Sequence, residues 1–118
     1  MDKKIIVIDP QLVKPLTNHS TLKGGSLDSR RVITNKKDGS QKMGFHVNKI
    51  VGQTTFENVK NESDEIIYFI ECDAILTFDD QSQNISSGMV AFIPANLEFD
   101  ISFHGDAYFL SIFSPPVE

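Results

Sequence analysis

Glu65 is the side chain in this sequence that is best suited to acid or base chemistry. It opens the most apolar stretch of the chain, Glu65–Glu71, and strand alternation would place Ile67 and Phe69 on the same face as its carboxyl group. Burial beside such apolar side chains disfavours the ionised carboxylate and raises the pKa of the acid. A glutamate tuned in this way can exchange a proton near neutral pH, so Glu65 is the candidate catalytic residue.

The histidines and the cysteine offer little further chemistry. His46 lies in the strand candidate 43–51, where it could face the interior and join Glu65, or face solvent or a partner subunit. The other two histidines lie in a polar loop and a turn, and no combination of the three has the spacing of metal ligands. Acidic neighbours on both sides of Cys72 raise the expected pKa of its thiol, which disfavours a nucleophilic role.

The elements that would position these side chains are short strands separated by turn residues. The sequence predicts strands over 3–8, 43–51, 65–71, 74–78, 89–93, 99–103 and 108–113, with a further short strand at 30–34. Phe99, Ile101 and Phe103 alternate with polar residues as in a half-buried strand, whereas residues 66–70 are apolar on both faces. This pattern indicates an all-β sandwich or barrel, with a second layer or a partner subunit covering the two-sided strand.

Composition and charge exclude several classes of function. The chain has 118 residues, a net charge of −5 and one cysteine, so it should be one acidic domain without internal disulfides. An acidic surface repels nucleic acid and anionic membranes, and we expect neither as a partner. The apolar run near the N-terminus is too short for a signal peptide or a membrane span, which predicts a cytoplasmic protein.

Three segments of the chain resemble the cupins. Residues 63–72 read Ser-Asp-Glu-Ile-Ile-Tyr-Phe-Ile-Glu-Cys and are similar to the first cupin motif, which ends in an acid, a short apolar strand and a glycine. Residues 87–96 are similar to the second motif, whose core is a glycine, an apolar strand, a proline and an alanine. Residues 108–116 look like the last strand of a cupin, and the whole match covers about residues 43–116.

This resemblance implies an all-β fold. The expected structure is a single-domain cupin-type β-barrel, or jelly roll, over residues 43–118. Residues 1–42 would form an N-terminal strand and arm that packs either on the barrel or on a partner. Because cupins are often dimers, we expect a homodimer.

The resemblance also implies that the usual metal site has been lost. Cupins generally bind a metal through two histidines and a glutamate of the first motif and one histidine of the second. Here Asn58, Lys60 and Phe99 fall at the histidine positions, and only Glu65 remains. We therefore expect no metal and no cofactor, because an ammonium repels a cation and a phenyl ring has no ligand atom. The expected ligand-binding residues are Asn58, Lys60, Glu65, Phe99 and His46, although Glu65 could instead form an ion pair with Lys60.

Among metal-poor cupins, the chain resembles the ethanolamine-utilisation Q proteins. The similarity lies in the run Asp64-Glu65-Ile66, in Tyr68 and in the aromatic residue at Phe99. It implies a metal-free protein that binds a small molecule or serves as an accessory protein, in ethanolamine-type catabolism. The alternatives are an enzyme, with Glu65 as acid or base or with acetate-kinase-like phosphoryl transfer, and an assembly role through the two-sided strand.

Overall fold

Eight strands make up most of this protein, whose computed structural model describes residues 4–17 and 21–118. They are β1 (Leu22–Ile33), β2 (Gly44–Val59), β3 (Asp64–Glu71), β4 (Asp73–Phe78), β5 (Gln81–Ser86), β6 (Val90–Ile93), β7 (Phe99–Phe103) and β8 (Ala107–Ser114). A 3-10 helix at Pro10–Leu12 precedes the strands, and a one-turn helix, α1 (Asn35–Asp38), joins β1 to β2. No helix in the described ranges is long and apolar enough to cross a membrane.

The strands form one antiparallel sheet in the order β5-β4-β7-β2-β8-β3-β6. The long strand β2 joins the two halves, because Gly44–Ile50 pairs with β8 and Thr54–Val59 pairs with β7. Its other edge pairs with β1. The sheet curls around an apolar core as in a jelly roll, which confirms the expected all-β, single-domain fold.

Two strands, β1 and β2, extend well beyond their predicted ranges, and the sequence predicts no strand at the position of β5. β1 begins at Leu22, although the prediction started at 30, and β2 continues past Gly52 to Val59. Gly52 bends the strand with a φ of 79° instead of ending it. β5 lies at the edge of the sheet and buries only Ile85, so its sequence lacks the apolar alternation that identifies a half-buried strand.

The N-terminal segment differs from the prediction as well. Residues 4–8 of the expected strand 3–8 pair with no other strand in the described part of the chain, and Lys3 lies outside it. Further along, Arg30 of β1 holds the segment by donating from Nη1 to the carbonyl oxygens of Gln11 (2.9 Å) and Val13 (3.0 Å). An isolated bridge between Leu16 and Ser29 adds two backbone hydrogen bonds. This part of the arm therefore packs on β1 of its own chain.

The core is most tightly packed at one end of the barrel. Ile50, Thr54, Phe69 and Phe103 are almost completely buried there. Phe109 lies between two of these rings, with ring centroids 5.3 Å from Phe103 and 6.0 Å from Phe69. Such aromatic pairs stabilise a core beyond the area that they bury.

Candidate functional site

A cavity of about 280 Å³ lies inside the barrel and borders the tightly packed core, whose Phe103 and Phe109 form part of its wall. Cross-strand pairing brings its polar residues into two neighbouring rows. Arg31 pairs with His46, and His46 pairs with Ser111 on the other edge of β2. In the next row Ser29 pairs with Asn48. The remaining wall is largely apolar, with Ile67, Phe99, Ile101, Phe103, Phe109 and Phe113.

Glu65 is the buried acid of this cavity, with a residue exposure of 5%. Burial raises the pKa of its carboxyl group to about 7, and hydrogen bonds from Ser111 and Asn61 oppose the shift. The Nδ2 atom of Asn61 donates to Oε1 of Glu65 over 3.2 Å. Near neutral pH this side chain can therefore either donate or accept a proton.

A short polar relay leads away from Glu65. Asn48 donates from Nδ2 to the hydroxyl oxygen of Ser111 over 3.2 Å, and Ser111 in turn hydrogen-bonds to the glutamate. Asn48 and Ser111 are both buried. These hydrogen bonds connect Asn48, through Ser111, to the carboxyl group of Glu65.

His46 is buried and incompletely satisfied. Its Nε2 atom has no hydrogen-bond partner within the described residues. Burial, together with the nearby charge of Arg31, lowers the pKa of the imidazole to about 3, so the ring is neutral at physiological pH. The ring packs on Phe113 with centroids 4.7 Å apart. Because His46 lines the cavity, a bound molecule could supply the missing hydrogen bond.

Arg31 and Glu118 close the polar side of the cavity. Nη1 of Arg31 lies 3.2 Å from Oε1 of Glu118, and Nε of Arg31 donates weakly to the hydroxyl of Ser29 over 3.4 Å. About a fifth of the arginine side chain and two-fifths of the glutamate side chain are exposed. This ion pair therefore lies at the mouth of the cavity.

The structure brings together three of the five residues proposed from the sequence. Glu65, His46 and Phe99 line the cavity, whereas Asn58 and Lys60 are exposed and lie outside it. The reason is an irregularity in β2 between Phe56 and Val59, where Asn58 takes a φ of 56°. This bulge changes the alternation, so that Val59 and Asn61 line the cavity instead.

The alternative ion pair between Glu65 and Lys60 is not formed in the described part of the chain. The side chains that contact the Glu65 carboxyl group are neutral, namely Asn61 and Ser111. The high pKa of Glu65 follows from this arrangement, because a neighbouring ammonium would favour the charged carboxylate and lower it.

The donor set of the cavity does not fit a resident divalent metal ion. Across residues 4–17 and 21–118, no three side chains of His, Cys, Asp or Glu are grouped so that they could hold one. Glu65 and His46 amount to two ligands, and Phe99 has no donor atom. Protein metal sites need three or more converging ligands.

Sequence reasoning missed Ser29, Arg31, Asn48, Asn61 and Ser111. A signal for most of them was present in the alternation along the strands. Ser29 and Arg31 follow Leu27 at every second position, and Asn48 follows His46 in the same way. The alternation in β1 does not identify its inward face, because Ser29 and Arg31 are polar. Their position inside the barrel follows only from the pairing of β1 with β2.

Comparison with known proteins identifies the architecture. No family model and no curated protein matches the chain. A protein of Thermotoga maritima described as a predicted oxalate decarboxylase superposes with a TM-score of 0.76 at 16% identity, over 93% of this chain and 99% of its own. An RmlC-like cupin of Shewanella frigidimarina superposes with a TM-score of 0.75 at 13% sequence identity, over 100% of this chain and 97% of its own. The EutQ protein of Clostridium difficile superposes with a TM-score of 0.67 at 22% sequence identity, over 80% of this chain and 71% of its own. At such low identities the likeness shows the fold alone.

Proposed function

Because the chain has the cupin fold, we propose that it binds a small molecule inside the barrel without a resident metal ion. The observation that carries this proposal is the buried Nε2 atom of His46, which lines a cavity and lacks a hydrogen-bond partner within the described residues. Buried polar groups are nearly always hydrogen-bonded, and a ligand would provide the partner. A cavity with an apolar wall and a few fixed polar groups is the usual form of a small-molecule site.

The side chains of the cavity indicate which chemical features a ligand should have. Phe99, Ile101 and Phe113 favour an apolar body. Glu65, which is partly protonated near neutral pH, can donate to a carbonyl or hydroxyl oxygen. The neutral imidazole of His46 offers either a donor or an acceptor, depending on its tautomer.

A ligand screen tests the proposal. Small metabolites would be added to isotope-labelled protein, and binding followed by changes in the backbone amide resonances. We expect hits whose affinity falls at least about tenfold, or 1.4 kcal/mol, in Phe99→Ala. The matched control is Ile66→Ala, on the outward face of β3. Equal affinities in the cavity variant and the control would show that binding occurs elsewhere.

A second candidate function is acid–base catalysis on the bound molecule. It is favoured by one observation, the pKa of about 7 for a carboxyl group that faces the cavity. Glu65→Gln keeps the shape of the side chain and removes the proton transfer. An enzyme should lose turnover of an identified ligand by at least about a hundredfold in this variant while retaining affinity. Unchanged turnover would exclude Glu65 as the acid or base.

We further propose that the protein acts in ethanolamine-type catabolism. Its support is the fold likeness to EutQ proteins, together with the motif around Glu65. Acetate-kinase-like phosphoryl transfer is tested by a coupled assay with acetate, ATP and magnesium ions. Turnover no higher than in Glu65→Gln would count against that activity.

We also propose that the protein is a cytoplasmic homodimer. Four apolar side chains on the outward face of β3 and β6 are between 42% and 64% exposed, namely Ile66, Tyr68, Val90 and Phe92. β6 is also the last strand of the sheet path. Apolar patches of this kind on an edge strand favour association, and a second copy can bury the same face symmetrically.

A further inference from the structure

A second, outer recess of about 550 Å³ shares the Arg31–Glu118 ion pair with the barrel cavity. Its lining includes Lys14, Lys36 and Lys37 besides Arg31, and Glu118 is its single acidic residue. Lys37 is paired with Asp38 at 2.7 Å, but no ion pair involves Lys14 or Lys36 in the described part of the chain. The mouth of the cavity is therefore locally positive on a protein whose net charge is −5.

This local charge favours the approach of anions. A cleft lined by charges of one sign raises the local concentration of oppositely charged ligands and their association rates. The remaining surface, with its excess of acidic groups, repels the same molecules. An anionic ligand would thus be directed to the side of the barrel where Arg31 faces both the outer recess and the cavity.

The ion pair at the mouth is weak enough to be replaced. Arg31 and Glu118 share a single contact, Nη1 to Oε1 at 3.2 Å, and 43% of the Glu118 side chain is exposed. Partly exposed pairs of this kind contribute little to stability. A backbone oxygen of Glu118 accepts a hydrogen bond from the amide of Asn35, so the backbone of this residue is held by a contact that does not involve its side chain.

We propose that the ligand of the barrel is a small carboxylate with an apolar body, which replaces Glu118 on the guanidinium group of Arg31. This inference rests on the proposed function of small-molecule binding. The Glu118 side chain itself shows that a carboxylate fits this position. A ligand carboxylate free of the chain can accept two parallel N–H bonds from Arg31, an arrangement stronger than the single contact it replaces.

His46 supports the same placement from inside the cavity. It is the cross-strand partner of Arg31, and its unpartnered Nε2 atom is buried. In the tautomer protonated on Nε2, the neutral ring donates to the second lone pair of a carboxylate oxygen that Arg31 also binds. The apolar body of the ligand would then extend along Phe113 and Phe99.

The experiment compares two probes of equal chain length, hexanoate and hexan-1-ol. Their affinities would be measured by titration against the wild-type protein, Arg31→Gln and Glu118→Gln. Lys49→Gln and Glu71→Gln serve as charge-matched controls, because both parent residues are exposed and line neither cavity.

We expect opposite changes in the two variants. Glu118→Gln should bind hexanoate about threefold to fivefold more tightly, since the competing carboxylate is gone. Arg31→Gln should bind it at least about tenfold more weakly and leave hexan-1-ol unchanged, since only the charge-assisted bonds are lost. The two control variants should bind both probes as the wild type does. Glu118→Gln keeps the test decisive if Arg31→Gln folds poorly.

Several results would overturn the carboxylate assignment. One such result is that hexan-1-ol binds as tightly as hexanoate and that neither Arg31→Gln nor Glu118→Gln changes the ratio of the two affinities. This result would contradict the carboxylate assignment but would still agree with ligand binding in the cavity. Hexanoate binding that is insensitive to Phe99→Ala would place the anion in the outer recess alone and contradict the inference. Failure of hexanoate to bind at millimolar concentration would also overturn it, while the proposed function would still be decided by the wider ligand screen.

Discussion

The two ends of the barrel interior are built from the same strands and differ in what those strands present. β3 runs from Glu65 at the open end to Phe69 at the packed end, and β2 runs from His46 to Ile50. At the packed end the side chains, apart from Thr54, are apolar and fill the interior. At the open end polar residues occupy two successive rows, and a cavity remains.

This difference shows how a binding site arises without a special structural element. Along a strand the inward positions recur every second residue, so a change from apolar to polar residues in adjacent strands produces a polar region at one depth of the barrel. The rows at the open end include Ser29, Arg31, Asn48 and Ser111, which are short or extend toward the mouth. They fill less of the interior than the phenylalanines, so space is left for a ligand.

The largest effect should come from truncating the packed end. Phe69 is completely buried and lies outside the cavity lining. Phe69→Ala should lower the free energy of unfolding by about 3 to 5 kcal/mol, because it creates a new void. Phe113→Ala should cost less, because it enlarges an existing cavity that water can enter. Urea unfolding measures both, and equal losses would contradict the distinction between the two ends.

The pH dependence of stability should separate the two titratable groups at the open end. The folded-state pKa of Glu65 is about 7, above its ordinary value of 4.5. Its contribution to stability therefore decreases as pH rises from 4.5 to about 7. The pKa of His46 is about 3, below 6.5, so its contribution decreases as pH falls from 6.5 toward 3. Between pH 4.5 and 6.5 the two contributions oppose each other.

Because the two contributions oppose each other, substituting one group should reveal the pH dependence of stability that the other group causes. Relative to the wild type, Glu65→Gln should lose about 2 to 3 kcal/mol of stability between pH 6.5 and 4.5, and His46→Gln should gain a similar amount. Denaturant unfolding at several pH values gives these differences directly. Parallel pH profiles for the wild type and both variants would mean that the two groups are not desolvated as the cavity requires.

The affinity for hexanoate should depend on whether Glu65 at the open end is ionised. Glu65 lies in the same cavity as the proposed carboxylate, and the other titratable or charged groups there are His46, Arg31 and Glu118. Because ionised Glu65 repels an anion, hexanoate affinity should fall about tenfold between pH 6 and 8. Glu65→Gln should abolish this dependence. A decrease that persists in the variant would assign the titration to another group.

The smallest effect on folding should come from the outward face of the same sheet. Phe92 is 61% exposed, so Phe92→Ser should change the free energy of unfolding of the isolated chain by no more than about 0.5 kcal/mol. If a second copy covers this face, the substitution should convert a dimer to a monomer. Light scattering on a sizing column measures the mass, and Thr77→Ser, on β4, is a conservative control. An unchanged mass would place the interface elsewhere.

Much of the fold could be predicted because most strands alternate clearly. The expected strand 99–103 coincides with β7, 74–78 lacks the first residue of β4, and 108–113 lacks one residue at each end of β8. Asp79 and Asp80 both have positive φ in the hairpin between β4 and β5, which agrees with the turn expected there. The polar edge strand β5 was missed because alternation is absent where neither face is buried.

The sequence by itself determined that Glu65 begins an inward-facing apolar strand and that Phe99 faces the same interior, because a period of two residues assigns a face wherever a strand is regular. Only the tertiary structure decided that Asn58 and Lys60 point outward, since the bulge in β2 changes the alternation at that point. The tertiary structure likewise decided that Arg31 stands beside His46. That contact depends on the register between two strands, which the pattern within either strand does not specify.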